Sequence, residues 1–340
     1  MIGAILRVDQ GGLGNQSSEF VRHMKPDRIL AIDFGSSGRG KSDPHRFKGD
    51  HVMHVLGTPG PDDCRRFLDG LDVVFTCEAF YQPIFVKIAD VMGVSCIVQS
   101  NPEMHDPVDL AGARVVLPTE WESERVPHER ILPVPIALDR FTPRLRKQAK
   151  VFYHVAAPAM LDRNGTAILL AALRHVTAEI TVIIRGSLPR DARGARMIPP
   201  NVTLHEIPWT EEPYWRAYPD ADVLLLPRRY GGLCLPMQET AALGMPVITT
   251  DLCPQCAYPQ AELVPVSGFE WHPMKGGDFP VANVHPRNYA AAIDRLAGDP
   301  ERVKDLSDAA VMWARRLGWH RLGSSYQEVL AAIPATPVRQ

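Results

Sequence analysis

Arg228-Arg229-Tyr-Gly231-Gly232-Leu233-Cys234-Leu-Pro-Met-Gln-Glu239 places two guanidinium groups, two glycines and a carboxylate in one short stretch. It follows the apolar run Val223-Leu-Leu-Leu226, which reads as a buried strand, and it leads into a helix with Pro236 in its first turn. Free N–H groups and the helix dipole favour an anion at such a helix start. Arg228 and Arg229 add charge-assisted donors suited to phosphate oxygens. Glu239, one to two turns into the helix, can accept hydrogen bonds from a pair of sugar hydroxyls. Together these groups describe a pocket for a nucleoside diphosphate. The plainer readings are a solvated basic loop and an exposed helix acid.

A second signal opens the chain. Gly11-Gly12-Leu-Gly14-Asn-Gln-Ser17 follows a short apolar segment, and glycines allow positive φ and close backbone approach. Gly12-x-Gly14-x-x-Ser17 is one residue type away from the dinucleotide fingerprint, and Asp33 ends the next apolar run, where a ribose-binding acid would sit. Taken alone, this motif describes a nicotinamide-dependent oxidoreductase.

The elements that must position these groups alternate. Strand-like runs at 2–6, 28–33, 72–77, 94–99 and 114–117 are separated by helical patterns over 18–23, 62–71 and 82–92. The stretch 132–147, rich in proline and basic residues, reads as a linker. The rhythm then restarts, with strands at 151–156, 180–185, 202–206, 222–227 and 246–250, helices at 167–175 and 238–243, and closing helices at 286–296, 301–317 and 324–333. This alternation predicts two α/β domains with parallel, doubly wound sheets, over 1–147 and 148–318. A C-terminal helix within 319–340 would be free to pack back on the first domain. Ligands of such sheets sit beyond the carboxyl ends of the strands, so an interdomain site is expected.

Composition narrows the function classes. With 37 basic against 39 acidic residues and a net charge of -2, the molecule is not a polycation built to hold nucleic acid. No apolar run approaches the ~18 residues of a membrane span and no signal-peptide pattern opens the chain, which points to a cytoplasmic protein. Six scattered cysteines read as reduced thiols. Cys253-Pro-Gln-Cys256, the one close pair, reads as an ordinary loop pair. A zinc site would want a second pair or suitably spaced histidines, and a thioredoxin-like motif a place after a first strand.

The stretch Asp220 to Asp251 resembles the donor-binding motif of the GT-B glycosyltransferases, specifically the large retaining family known as glycosyl transferases group 1. That family's pattern is a strand, Pro-Ser, a Glu-Gly-Phe-Gly loop, and Glu-Ala on a helix ending in Gly-x-Pro-Val. Val134 to Pro143 looks like its interdomain linker, and Asp162-Arg-Asn-Gly165 with Leu169-Leu-Ala-Ala172 like its Lys-Gly turn and helix. Asn201 to His205, Asp299 to Arg302 and Trp319 fall where the family has comparable segments. The resemblance runs through residues 132–330, and before that only by rhythm. It implies two Rossmann-like domains facing across a cleft. It also implies transfer of a sugar from a nucleoside-diphosphate sugar to an acceptor hydroxyl with retention, with no obligatory metal or further cofactor.

By the same resemblance Glu239 matches the second of two family glutamates and would bind the donor ribose, while the first falls on Gly231. The family lysine falls on Asn164, and the arginine some residues earlier has no basic counterpart in Pro158 to Met160. Arg163 and Arg185 are the candidates to supply that charge, beside Arg228, Arg229 and the amides of Gly231, Gly232 and Leu233. Gly12 and Gly14 would then face the reacting sugar, leaving Asp33 a strand-end acid. In the first domain Glu78, Asn101 and Glu103 are the catalytic candidates, with His105 beside them, although Glu78 suits a strand-end cap and His105 a surface residue. The loop Gly35 to Lys48 carries Arg39, Lys41, Arg46 and Lys48 against Asp43, and suits a nucleic acid, an anionic lipid head, a phosphosugar or solvent alone. The departures at Gly231 and Asn164 keep a catalytically weak sugar-nucleotide binding protein as an alternative, beside the oxidoreductase.

Overall fold

The computed structural model describes residues 1–35, 42–101, 110–156, 160–186, 198–209, 213–274 and 277–331. The chain forms two compact units, Met1–Pro135 with the C-terminal segment from Trp319, and Ile136–Gly318.

The first unit contains β1 (Ile2–Arg7), α1 (Gly12–Met24), β2 (Arg28–Asp33), β3 (Val52–Leu56), α2 (Pro61–Leu68), β4 (Val73–Thr76), α3 (Phe85–Val91), β5 (Ser95–Gln99), β6 (Arg114–Leu117) and β7 (Arg130–Ile131). Its sheet is parallel in the order β3-β2-β1-β4-β5-β6-β7. Strands covered on both faces need unbroken apolar runs, and Ala4-Ile-Leu6 and Val73-Val-Phe75 supply them, fully buried. The strands β3 and β7 escaped the sequence reading because β3 is half-exposed and β7 has only two residues.

The second unit contains β8 (Val151–Ala156), α4 (Thr166–Leu173), β9 (Ile180–Gly186), β10 (Val202–Ile207), β11 (Val223–Leu226), α5 (Leu235–Ala242), β12 (Val247–Thr250), β13 (Ala261–Val264), an antiparallel hairpin β14 (Gly268–Met274) and β15 (Gly277–Asn283), α6 (Pro286–Gly298) and α7 (Pro300–Arg316). Its sheet is parallel in the order β10-β9-β8-β11-β12-β13. In both units the third, second, first, fourth, fifth and sixth strands lie side by side in that order. The order reverses between β1 and β4 and between β8 and β11, the switch points where doubly wound sheets bind ligands.

The stretch read as a linker is packed for most of its length, and the unit boundary falls at Pro135/Ile136 rather than at 147/148. Ile136 N–H donates to the Leu317 carbonyl at 2.7 Å, and Arg146 N–H donates to Ser307 Oγ at 2.8 Å. Phe141 packs with Ala241, Ala242, Ala310 and Ala314, so α5 and α7 hold the segment. Helix α8 (Trp319–Ala331) belongs to the first unit. Its Tyr326 meets the ring of Phe75 at 6.0 Å, and the Tyr326 hydroxyl accepts from Gln99 Nε2 at 2.8 Å. Trp319 stacks on His23 of α1 at 4.5 Å.

His154 ties β8 to its neighbours from inside the second unit's core. Its Nδ1–H donates to the Leu225 carbonyl at 2.9 Å, which leaves Nε2 to accept from Thr166 Oγ1 at 2.8 Å. Burial pushes its pKa down from the ordinary 6.5 to about 4. Below pH 6.5 the unfolded chain takes up a proton that the folded chain refuses until about pH 4. Stability should therefore fall across that window by ~3 kcal/mol on this account and change no further below it. Denaturant unfolding at pH 7 and pH 4.5 should show the loss, and His154→Gln should flatten that part of the pH dependence.

Candidate active site

The ends of β8 and β11 lie side by side, with Leu225 in register with His154. Beyond β8 the chain turns through left-handed Leu161 and Asp162, and the Asp162 carboxylate caps α4 by accepting from Thr166 N–H at 2.8 Å and Ala167 N–H at 2.9 Å. Gly165 has a φ of +69°, and a Cβ there would lie 2.1 Å from the Pro227 carbonyl oxygen. Only glycine lets this turn press against the loop after β11.

That pressure brings the predicted phosphate-side residues together. Asn164 and Arg228 are both buried; Arg228 Nη1 donates to Asn164 Oδ1 at 2.8 Å, and Asn164 Nδ2 donates to the Val155 carbonyl at 2.9 Å. Asn164, where the family pattern has lysine, is thus a brace that orients Arg228. Gly231 has a φ of +102°, and a Cβ on it would sit 2.1 Å from Arg163 Nη2. Arg163 occupies the volume that a side chain at 231 would need, with its guanidinium 5.2 Å from the Tyr230 ring centroid. The missing glutamate and the adjacent arginine are therefore one packing arrangement, in which a cation stands where the pattern has an acid. Gly232 and Leu233 continue the loop into α5, whose N-terminus no side chain caps.

Glu239 is buried within α5, and the Tyr218 hydroxyl donates to its carboxylate. Burial first, and then the Glu239 charge, hold the Tyr218 phenol well above its ordinary value, so it stays a donor. Tyr153 meets the Tyr218 ring edge-on at 6.0 Å, and burial pushes it up to about 12 despite the nearby Arg185. Arg185 is buried at the end of β9, donates to the Ala217 carbonyl and lies 5.3 Å from the ring of Trp209, which is 47% exposed. The sequence reading missed Tyr153, which sits in a run that reads as a buried strand, Tyr218, which falls between the predicted strands, and Trp209, which follows a short edge strand.

Arg229 donates its backbone N–H to the Arg163 carbonyl at 3.0 Å, but its side chain is engaged by protein acceptors. Its guanidinium donates to the carbonyls of Leu161 (3.0 Å) and Ala282 (3.1 Å), to Asn283 Oδ1 (2.9 Å) and to Glu270 Oε2 (3.1 Å). Read from the sequence as a phosphate donor, it clamps the β14–β15 hairpin. Hydrogen bonds from Asn283, and then the Arg229 charge, hold the Glu270 carboxyl below its usual range. Replacing Arg229 with leucine should speed amide exchange over 268–283 at least tenfold while leaving the parallel sheet protected, as hydrogen-exchange mass spectrometry would show.

In the first unit Gly12 is exposed at the first turn of α1, whereas a Cβ on Gly14 would lie 1.6 Å from the Asp9 carbonyl oxygen. Asp9 accepts from Gly11 N–H at 2.8 Å and pairs with buried Arg7 at 2.9 Å, and the Arg7 guanidinium lies 4.8 Å from the Phe34 ring centroid. Glu78 is half-buried after β4, and its charge adds to burial in raising the Tyr81 phenol. Asn101 follows β5, with its Oδ1 buried. Glu103 and His105 lie outside the described residues, as do Arg39 and Lys41 of the basic loop. Arg46 of that loop donates to Ser18 Oγ at 2.9 Å and to Asn15 Oδ1 at 3.3 Å, which fixes it to α1, and Lys48 is exposed. Asp33 accepts from Gly35 N–H and Ser42 Oγ, each at 2.7 Å, so both carboxylate oxygens are engaged locally. Among the described residues there is no group of three or more His, Cys, Asp or Glu placed to hold a metal, and no helix long and apolar enough to cross a membrane.

Residues 149–299 match the family model described as glycosyl transferases group 1. Among solved structures, HepE from Anabaena in complex with UDP superimposes with a TM-score of 0.68 at 11% identity, over 97% of this chain and 100% of that one. Sucrose-phosphate synthase from Thermosynechococcus elongatus gives 0.67 at 14% identity, over 97% and 99%. WaaG, a glycosyltransferase involved in lipopolysaccharide biosynthesis, gives 0.63 at 11% identity, over 98% and 100%. No curated protein matches the chain by sequence. Residues 149–299 thus carry a glycosyl transferases group 1 domain, and the chain shares the two-domain Rossmann-like GT-B fold of these structures.

Proposed function

We propose that the protein transfers a sugar from a nucleoside-diphosphate sugar, with a UDP-sugar as the first candidate, to an acceptor hydroxyl with retention at the anomeric carbon. The observation that carries this reading is the convergence at one switch point of Arg163, Arg228 and the uncapped start of α5 with buried Glu239, and with Arg185 on the adjoining strand β9. HepE, which shares the fold, binds UDP and UDP-glucose.

Departure of a nucleoside diphosphate develops charge on the phosphate oxygens, and fixed cations stabilise that charge without reorganising. Arg163, Arg185 and Arg228 fill this role, and Asn164 orients the last of them. Glu239 accepts from the ribose hydroxyls, and its hydrogen bond from Tyr218 fixes the carboxylate. Glu78, Asn101 and Glu103 stay the catalytic candidates of the first unit. The lone exposed Lys48 and the engaged Arg46 give no support to a nucleic-acid acceptor among the described residues.

Incubation with UDP-glucose and a panel of other sugar nucleotides, together with a panel of hydroxyl acceptors, followed by nuclear magnetic resonance of product and released diphosphate, tests the reading. An α-configured donor should give an α-configured product. An inverted product contradicts retention, and binding without release makes the protein a sugar-nucleotide binder.

A further inference from the structure

The loop between β12 and β13 holds two thiols in contact. Cys253 Sγ and Cys256 Sγ are 2.9 Å apart, Cys253 is exposed and Cys256 half-buried, whereas Cys64, Cys77, Cys96 and Cys234 are buried. Between the two lies Gln255, which is fully buried and whose Nε2 donates to the carbonyls of Gly231, at 3.3 Å, and of Gly232. The same four-residue stretch, Cys253–Cys256, therefore carries a dithiol with one solvent-exposed thiol and the side chain that holds the glycine loop of the site. Its ends are fixed, since Asp251 N–H donates to the Val264 carbonyl at 2.8 Å and Cys256 N–H to the Leu252 carbonyl at 3.0 Å.

We propose that Cys253 and Cys256 form a reversible dithiol–disulfide site whose oxidation loosens the Gly231–Gly232 loop through Gln255 and so weakens donor binding. The last step rests on the donor reading given above, and the first two do not. The oxidant is a small-molecule disulfide, RS–SR. Exposed Cys253, as its thiolate, attacks one sulfur and releases one RS⁻, giving a mixed disulfide. Cys256 then loses its proton and attacks the Cys253 sulfur, releasing the second RS⁻. One disulfide is reduced to two thiols as the protein dithiol is oxidised by two electrons. Burial and the contact with Cys253 push the Cys256 thiol up to about 12, which leaves Cys253 to attack first.

A disulfide needs the sulfurs at about 2.05 Å, so the 2.9 Å contact must close by roughly 0.9 Å. Gln255 lies inside the closing ring, and its amide has two carbonyls to lose.

The test takes the full chain in oxidised and reduced glutathione. Intact mass should fall by two hydrogens with a Cys253–Cys256 linked peptide, whereas a lasting glutathione adduct or an unchanged mass overturns the site. Amide exchange over 228–235 should be at least fivefold faster in the oxidised form and insensitive to glutathione in Cys253→Ser. Equal exchange in both forms overturns the coupling whether or not any nucleotide binds. Where UDP binds the reduced protein, its Kd should rise at least fivefold on oxidation, and only in wild type. An unchanged Kd overturns the regulatory step, and failure of UDP to bind either form counts against the donor reading alone.

Discussion

Glu239→Ala should raise the Kd for UDP by about a hundredfold or more. Two ribose hydroxyls donating to one carboxylate are charge-assisted hydrogen bonds, each worth ~1.5–3 kcal/mol, and each 1.4 kcal/mol is a factor of ten. The same substitution should destabilise the fold by ~1–3 kcal/mol, because the Tyr218 hydroxyl keeps its burial and loses its acceptor. Glu239→Gln separates the two effects. The amide oxygen still accepts from Tyr218, so stability should stay within ~1 kcal/mol of wild type while most of the binding is lost with the charge. Calorimetric titration with UDP and denaturant unfolding of the three proteins would show whether binding and stability part in this way. A Glu239→Gln protein that binds UDP as wild type does would remove Glu239 from the site.

Gly14→Ala should be the most damaging single-methyl change in the first unit. Its Cβ would stand 1.6 Å from the Asp9 carbonyl oxygen, a backbone atom that cannot step aside while the Asp9 side chain holds Arg7 and Gly11 N–H. Helix α1 would have to move, against the stacking of Phe20 on Phe75 at 4.5 Å. We expect a loss of ~3 kcal/mol or more, and a Tm lower by on the order of 10 °C. Gly12→Ala, two positions earlier and exposed, should change stability by no more than ~0.5 kcal/mol. Thermal unfolding of both variants distinguishes a glycine required by packing from one required by a bound pyrophosphate, for which Gly12 would matter as much.

The contrast between those glycines shows where the sequence could be read and where it could not. Apolar runs such as Val223–Leu226, and Val151–Ala156 with only His154 breaking it, announce buried parallel strands, and the second unit's alternation of strands and helices follows from their rhythm. The hairpin 268–283 lacks that signal, since Phe269 and Trp271 are exposed and its pairing is antiparallel. The unit boundary falls inside the stretch 132–147 read as a linker, but proline and arginine conceal the packing of its later part, made by a few residues, Ile136, Phe141 and Arg146.

At the candidate site, Arg228, Gly231 and Glu239 can be proposed from the sequence because a strand, a glycine loop and a helix fix their places in sequence order. Tyr218 cannot be, because its partner Glu239 lies on another element and only folding brings them together. Arg228 and Arg229 are neighbours in sequence with opposite fates. One turns inward to Asn164 and the other reaches the hairpin, a difference set by side-chain direction and invisible in residue type. The pairing of Arg163 with Gly231 likewise explains two departures that looked separate along the chain.

The central claim is that the second unit holds a nucleoside diphosphate. Thermal stability of the full chain in the presence of UDP, GDP, ADP and NAD tests it most directly, since a ligand at ~100 times its Kd stabilises by about 2.7 kcal/mol. The account predicts a rise of several degrees with one nucleoside diphosphate, UDP first, absent in Glu239→Gln and absent with NAD. A rise with NAD alone, or an equal rise in Glu239→Gln, would contradict it.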